Sequence, residues 1–385
     1  MKVLRWSLGI LGAVVLLLAL ALFIVTRLIN PDRYRGELER VVARDTGRPL
    51  QIEGHLRLEW YPWLTLRIGA ARLGNLAPVR GPDLLSWHSA RLPVRLLPLL
   101  LHRRIELGTI RIDGAHIHLW RTAAGTGNWQ PLLAGAAGGP SSAPPSLGGL
   151  VLRDATLQYT AASGVIRLTH WQLRLGAWQP GRPFALTTHF QLHAPKLPAG
   201  GVPIALRGRH LDVSSSPLTL AAPHWRLTAA NAALSGSGQF TDRNAQPRGT
   251  GDLTVRVPSV RALISQLGLK MRLPTNPGAL GRLAFSGHWS LQGSALRIDP
   301  LTAQLDQTRL TGWLAHSGGA TALWTFNLNA DRINFSHYLP PTRQHAKPLK
   351  LPLALLRKLH VRGVLTVQRA QLGTTTLRDA RLQVQ

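Results

Sequence analysis

At 385 residues, 45% of them hydrophobic, the chain is too apolar to stay disordered, and 37 Gly with 27 Pro argue for many turns and against an all-helical body. It has no cysteine, which excludes disulfides and thiolate metal sites while fixing no redox compartment. The formal charge of +28 raises nucleic acid as a partner. The cations stand singly, however, as at Arg57, Arg67, Arg72, Arg80, Arg91 and Arg95, with no basic block, zinc-finger spacing or RNP-like motif, so no nucleic-acid partner is expected. Cations spread in this way suit anionic lipid headgroups or lipopolysaccharide, or simply solubilise the outer face of strands.

Trp6 to Val25, WSLGILGAVVLLLALALFIV, is a run of twenty uncharged residues. At about 1.5 Å per residue it spans the roughly 30 Å hydrocarbon core of a bilayer. Lys2, Arg5, Trp6 and Arg27 flank it where a membrane interface would lie. The run is therefore expected to be a retained anchor, residues 1–29 forming a cytoplasmic tip and a transmembrane helix. A cleaved signal peptide is the alternative, but Leu22 to Val25 continue the apolar run past the cleavage-like Ala19-Leu20-Ala21. Charge does not fix the orientation, because Lys2 and Arg5 on one side face Arg27, Arg33, Arg35 and Arg40 on the other.

A helix follows, with Asn30 placed to cap it, Pro31 in its first turn, Asp32 at the positive end of its dipole and Gly47 to end it. Its apolar stripe is Tyr34, Leu38, Val41 and Val42, spaced to cover one helical face. From Leu50 the period changes to two. Leu50, Ile52, Leu56, Leu58 and Trp60 alternate with Gln51, Glu53, His55, Arg57 and Glu59; Tyr61-Pro62-Trp63 breaks the strand, and Leu64, Leu66 and Ile68 resume it. The pattern recurs at Ala115, Ile117 and Leu119, at Leu253, Val255 and Val257, at Leu283, Phe285, Trp289 and Leu291, and at Trp324, Phe326, Leu328 and Ala330. Further helices are few and short, Val260 to Leu267 and Leu353 to Leu359, so helices cannot cover so many one-sided strands. Either two sheets close as a sandwich or one sheet curls into a trough with an apolar wall, and the pattern alone leaves both open. AGAAGGPSSAPPSLGG, residues 134–149, reads as a flexible linker dividing an N-terminal domain, 30–133, from a C-terminal β-rich region, 150–385.

No GxSxG, GxxxxGK[ST], HExxH or GxGxxG motif is present, and no catalytic, cofactor or metal residue is expected. His116 and His118 share a strand face but lack a carboxylate at ligand spacing. Asp306, Asp331 and Asp379 sit where Asp caps turns.

Several segments together resemble the AsmA family of bacterial envelope proteins. DTGRPLQIEGHLRLEWYPWLTLRIGAARLGN (Asp45 to Asn75) resembles the family's opening after its membrane helix, with TGR and LGN at its ends. LLPLLLHRRIELGTIRIDGAHIHLWRTAAGTGNW (Leu96 to Trp129) resembles its LLPLL, I-x-G and G-x-x-N-W patterns, the last carried by Gly125, Asn128 and Trp129. PSVRALISQLGLKMRLPTNPGAL (Pro258 to Leu280), Leu305-Asp306 and DRINFSHYLPP (Asp331 to Pro341) keep the order of its C-terminal half, with His337 departing from the usual neighbour of the Tyr-Leu-Pro motif. Similar proteins usually continue past this end, where LRDARLQVQ still follows a strand pattern begun at Val361.

The resemblance implies a mainly β protein with few short helices: one N-terminal transmembrane helix, then an elongated, curled antiparallel β-sheet body forming a groove. It also implies a single-pass inner-membrane protein whose bulk is periplasmic and whose role lies in outer-membrane assembly. Phospholipid would be held or conducted along an apolar β groove between the two membranes. The groove candidates are Leu50, Ile52, Leu56, Leu58, Leu64, Leu66, Ile68, Ile117 and Leu119, and no enzymatic role or cofactor is expected. The alternative is a periplasmic scaffold with envelope protein partners that assists outer-membrane protein assembly.

Overall fold

The computed structural model describes residues 31–59, 64–76, 81–95, 106–121, 126–130, 147–179, 181–215, 217–243, 246–319, 322–338 and 360–384. The expected anchor, with Lys2, Arg5, Trp6 and Arg27, lies outside them, as do Asn30, Trp60 to Trp63 and the 353–359 helix. Among the described residues no helix is long and apolar enough to cross a membrane. The protein is mainly β with few short helices, and it divides into two compact units, one ending at Gln179 and the other running from Pro180.

The first unit begins with a 3-10 turn, Pro31–Tyr34, and helix α1, Arg35–Thr46, which Gly47 ends in the left-handed conformation at φ 67°. Leu38, Val41 and Val42 are half-buried, but Tyr34 is 59% exposed. The expected stripe loses Tyr34 because the tighter 3-10 turn rotates it off the α-helical face. Asp32 does more than favour the helix dipole: its carboxylate accepts hydrogen bonds from the Leu56 amide at 2.9 Å and from Arg35 at 3.1 Å. Glu39 accepts from the Ile52 amide at 2.8 Å. The helix thus uses two carboxylates to satisfy edge amides of the strands it lies beside, which also blunts that edge.

Those strands are β1 (Leu50–Ile52) and β2 (Leu56–Glu59), antiparallel to β4 (Ala71–Leu73) and β3 (Leu64–Ile68). The single strand expected from Leu50 is split at Glu53 to His55. There Gly54 and Gly69 touch backbone to backbone, and a Cβ on Gly54 would fall 2.4 Å from the Ala70 nitrogen. β5 (Leu85–Trp87) and β6 (Ser89–Val94) continue the sheet, followed by β7 (Leu107–Asp113) and β8 (His116–Trp120). The long β9 (Leu147–Ala161) runs parallel to β7 along its first half and to β8 along its second, and β10 (Gly164–Leu175) pairs with it antiparallel.

The breaks fall at one level across these strands, at Gly54, Gly69-Ala70, His88, Gly114-Ala115, Asp154 and His170, so the sheet is creased across its width. The domain boundary consequently differs from the expected one. Leu147 to Gly149, read as the end of a linker, open β9, and β9 and β10 complete the first unit's sheet, so the division falls after Gln179. Glycines without side chains hide a strand from a hydropathy pattern.

In the second unit β11 (Phe184–His193), β12 (Val202–Ser215), β13 (Leu218–Ala229), β14 (Ala232–Arg243) and β15 (Gln246–Val257) form a meander. It continues through β16 (Leu283–Gln292), β17 (Ala295–Leu305), β18 (Thr308–His316) and β19 (Trp324–Asn334). β20 (Val361–Leu372) then adds parallel to β19, and β21 (Thr375–Val384) antiparallel to β20. Helix α2, Val260–Gln266, is capped by Ser259 accepting from the Ala262 amide at 3.1 Å, and its Gln266 holds the Asn231 amide of the β13–β14 turn at 3.1 Å.

Candidate functional site

Strand register converts one-residue alternation into rows that cross whole sheets. In the second unit Leu186, Gly208, Trp225, Gly236, Leu253, Gly287, Leu301, Gly312, Leu328, Leu365 and Leu382 are successive cross-strand partners from β11 to β21. Two residues along, on the same face, Leu206, Leu227, Leu234, Val255, Phe285, Ala303, Leu310, Ala330, Val367 and Ala380 form a second row. The residues between them point the other way and are polar throughout: Arg207, Arg226, Ser235, Thr254, Ser286, Thr302, Thr311, Asn329, Thr366 and Arg381.

Within this face Ala330 and Val367 are buried, with Leu310, Leu365 and Ala380 packed against them, and Leu301 is buried too. Most of its side chains are half-buried by one another, and Leu220 at its far margin is 43% exposed. Eleven strands at about 4.8 Å spacing carry the face across roughly 48 Å, several times the ~15 Å one leaflet's acyl chains occupy. Glycines shape the surface. A Cβ on Gly236 would sit 2.0 Å from the Asp252 carbonyl oxygen, and one on Gly312 2.0 Å from that of Asn327, so the neighbouring backbone rises toward the apolar side. The Trp289 ring lies over Gly238 and Gly249, each of which would bring a Cβ within 3.0 Å of it.

The first unit has the same two-faced construction, with Leu56, Ile68, Ala90, Ile112, Leu152 and Leu173 as one row. Here the expected groove residues separate. Ile52 and Leu56 are buried with Ala71, and Leu38 of α1, Leu50, Ile68 and Trp87 pack on that cluster. Leu58, Leu64, Leu66, Ile117 and Leu119 stay half-buried on their strands, with Leu58 opposite Leu66. The longer rows of the second unit were only partly visible in the sequence, as short alternating runs whose alignment depends on pairing.

The motif residues of the first unit converge. Arg48 of TGR is fully buried and donates to the carbonyls of Gly74, in LGN, and of Asn128, in the G-x-x-N-W segment. Asn128 donates to Asn75 at 3.1 Å and to the His118 carbonyl at 2.9 Å, and accepts from the Trp120 amide at 3.1 Å. Burial lowers the Arg48 guanidinium below its ordinary range, yet it remains a cation tying three chain segments together. The role of these residues is structural, which their sequence spacing does not reveal.

A polar chain on the outward face of β14–β16 has the ingredients of a catalytic relay. Thr250 Oγ1 lies 2.9 Å from His288 Nε2, His288 Nδ1 lies 3.0 Å from Asp252 Oδ1, and Ser237 donates to the other oxygen at 3.1 Å. These bonds, the His288 one foremost, hold the Asp252 carboxyl below its usual range. The group is exposed, the β14–β15 ladder is interrupted beside it, and the Asp252 amide donates to the Ser237 hydroxyl at 3.3 Å. It acts as a cross-strand clasp.

Asp306 accepts from the amides of Leu280 and Gly281 and from Tyr338, and Asp331 accepts from those of Arg309 and Arg332, as turn-capping residues do. His118 faces the Asp83 carbonyl at 3.1 Å, and among the described residues no cluster of three His, Cys, Asp or Glu could hold a metal.

The AsmA family model matches residues 1–176, stopping just short of Gln179 where the first unit ends. Protein AsmA of Escherichia coli (strain K12) is 35% identical over 92 residues, which make up 24% of this chain and 14% of that relative. No solved structure matches the chain. Over residues 1–176 the chain is thus similar to the AsmA family, and it spans only a small part of the length of the relative it matches.

Proposed function

We propose that the protein holds or conducts phospholipid along the apolar face of its β-sheets, as a non-enzymatic component of outer-membrane biogenesis anchored in the inner membrane by Trp6 to Val25, with its bulk in the periplasm. The family relation supports an envelope-associated protein. The observation that carries the lipid reading is the second unit's apolar face, continuous in register from Leu186 to Leu382. A continuous apolar face is the kind of surface that binds apolar ligands, which supports this reading. Acyl chains fit it because they need neither hydrogen bonds nor a defined register, so they can occupy or slide along rows of Leu, Val and Phe.

The test places a photo-crosslinking amino acid at Leu253 or Leu66 on the apolar faces, and at Thr254 or Arg67 on the polar faces, in cells. Phospholipid attached at the first pair and not the second is the expected result. Attachment of protein at Leu253 in place of lipid would overturn the reading in favour of an assembly scaffold.

A further inference from the structure

The polar face of the first unit carries a row as regular as the apolar one behind it. Arg57 of β2, Arg67 of β3, Arg91 of β6 and Arg111 of β7 are direct cross-strand partners in succession, and beyond Val151 of β9 comes Arg174 of β10. Cross-strand side chains lie about 5 Å apart at Cβ, where like charges repel. Only Arg67 has a carboxylate partner among the described residues, Glu59 at 3.0 Å. The Arg91 Nε is buried without a hydrogen-bond partner, while Arg57, Arg111 and Arg174 are exposed. At its Arg111 end the row opens into a depression of about 540 Å³ lined by Thr65, Pro93, Thr109 and Gly148, and by Arg95 and Glu106, which pair with each other at 3.0 Å.

Of these four neighbouring arginines only Arg67 has a carboxylate among the described residues, so Arg57, Arg91 and Arg111 can take an external anion. Guanidinium forks suit phosphate oxygens, which accept two parallel hydrogen bonds. We infer that this arginine row docks the first unit onto the anionic phospholipid headgroups of the membrane that holds the chain. The choice of a membrane surface rests on charge complementarity and on reading Trp6 to Val25 as spanning a bilayer. Residues 26–30, the five between that run and the 3-10 turn at Pro31, reach at most ~18 Å, so the unit cannot stray far from the surface.

The experiment uses the full chain in vesicles of phosphatidylcholine alone or with about 30% phosphatidylglycerol, whose charge attracts basic residues at the surface. Phenylglyoxal modification of each arginine is read by mass spectrometry. Arg57, Arg91 and Arg111 should react at least about threefold more slowly in the anionic vesicles, with the difference erased by high salt, while Arg207 and Arg226 of the second unit serve as internal controls. Equal reactivity in both vesicles overturns the docking. Equal protection by inorganic phosphate in neutral vesicles overturns it too, assigning the row to a soluble phosphate compound. Flotation with neutral vesicles tests the anchor separately, since it involves no anionic lipid. Arg111→Gln, made in neutral detergent, should raise the melting temperature by relieving repulsion; a lowered one would mean that the row serves the fold itself.

Discussion

The two units treat the same strand alternation in different ways. In the first, α1 lies against the strands around Ile52, Leu56 and Ala71 and makes a closed cluster there, with Asp32 and Glu39 tying the helix to strand amides. In the second, α2 is only seven residues long, and the buried cluster of Ala330, Val367 and Ala370 is made by residues of the strands themselves, with Leu310, Leu365 and Ala380 packed against it. An apolar strand face is therefore buried by a helix or by its own strands according to what the chain supplies, and the hydropathy pattern looks the same in both cases.

Breaking that comparison at its covered side gives the largest expected effect. Leu56, 2% exposed, should cost about 3 kcal/mol when replaced by alanine, because a cavity opens beneath α1. Amide hydrogen exchange in β1–β4 would accelerate roughly a hundredfold. Leu253→Ala, at a half-buried position of the second unit's face, should cost under about 1 kcal/mol. Equal costs at the two sites would mean that the second face is packed as closely at Leu253 as the first is at Leu56.

The buried Arg48 comes next. Arg48→Met keeps the aliphatic bulk but leaves the Gly74 and Asn128 carbonyls without their donor, an expected loss of about 2 kcal/mol confined to the first unit. Denaturant unfolding followed separately in the two units by hydrogen exchange would show it.

Leu253→Asp sharpens the comparison from the second unit's side. A charge on a half-buried position should leave secondary structure unchanged by circular dichroism, yet abolish lipid cross-linking from a probe at Val255, half-buried two residues along on the same face. Unchanged lipid capture would remove the acyl track as the binding surface.

Much of this fold is legible in the sequence because a strand needs only a period of two. The runs Leu253 to Val257, Leu283 to Leu291 and Trp324 to Ala330 all lie on strands, and Val260 opens a helix as expected. What the sequence hides is pairing. Arg57, Arg67, Arg91 and Arg111 read as scattered cations, successive ones 10, 24 and 20 positions apart in the chain, and only the register between β2, β3, β6 and β7 makes them neighbours. The same holds for Arg48, Gly74 and Asn128, whose chain separations say nothing of a shared contact. Glycine was misleading in the opposite direction: Leu147 to Gly149 read as linker although their backbone is ladder.

The smallest expected effects are in pH, and they too separate the units. The Leu56 amide, with help from His55 and Arg35, holds the Asp32 carboxyl below its ordinary value. A depressed carboxylate contributes stability that is fully present above the unfolded-state pKa, near 4, and is lost as pH falls through the folded value. The α1 end of the first unit should therefore lose hydrogen-exchange protection first in acid, and Asp32→Asn should remove that dependence. In the second unit burial, then the hydrogen bond to Asp306, pushes the Tyr338 hydroxyl up to about 12. A raised folded-state pKa works in the other direction: its contribution is present below the unfolded value near 10 and fades as pH climbs through 12. Ultraviolet titration should show a late tyrosine step near pH 12, and Tyr338→Phe should remove that late step. If the late step survived that substitution, the tie between Asp306 and the segment following β19 would not exist in solution.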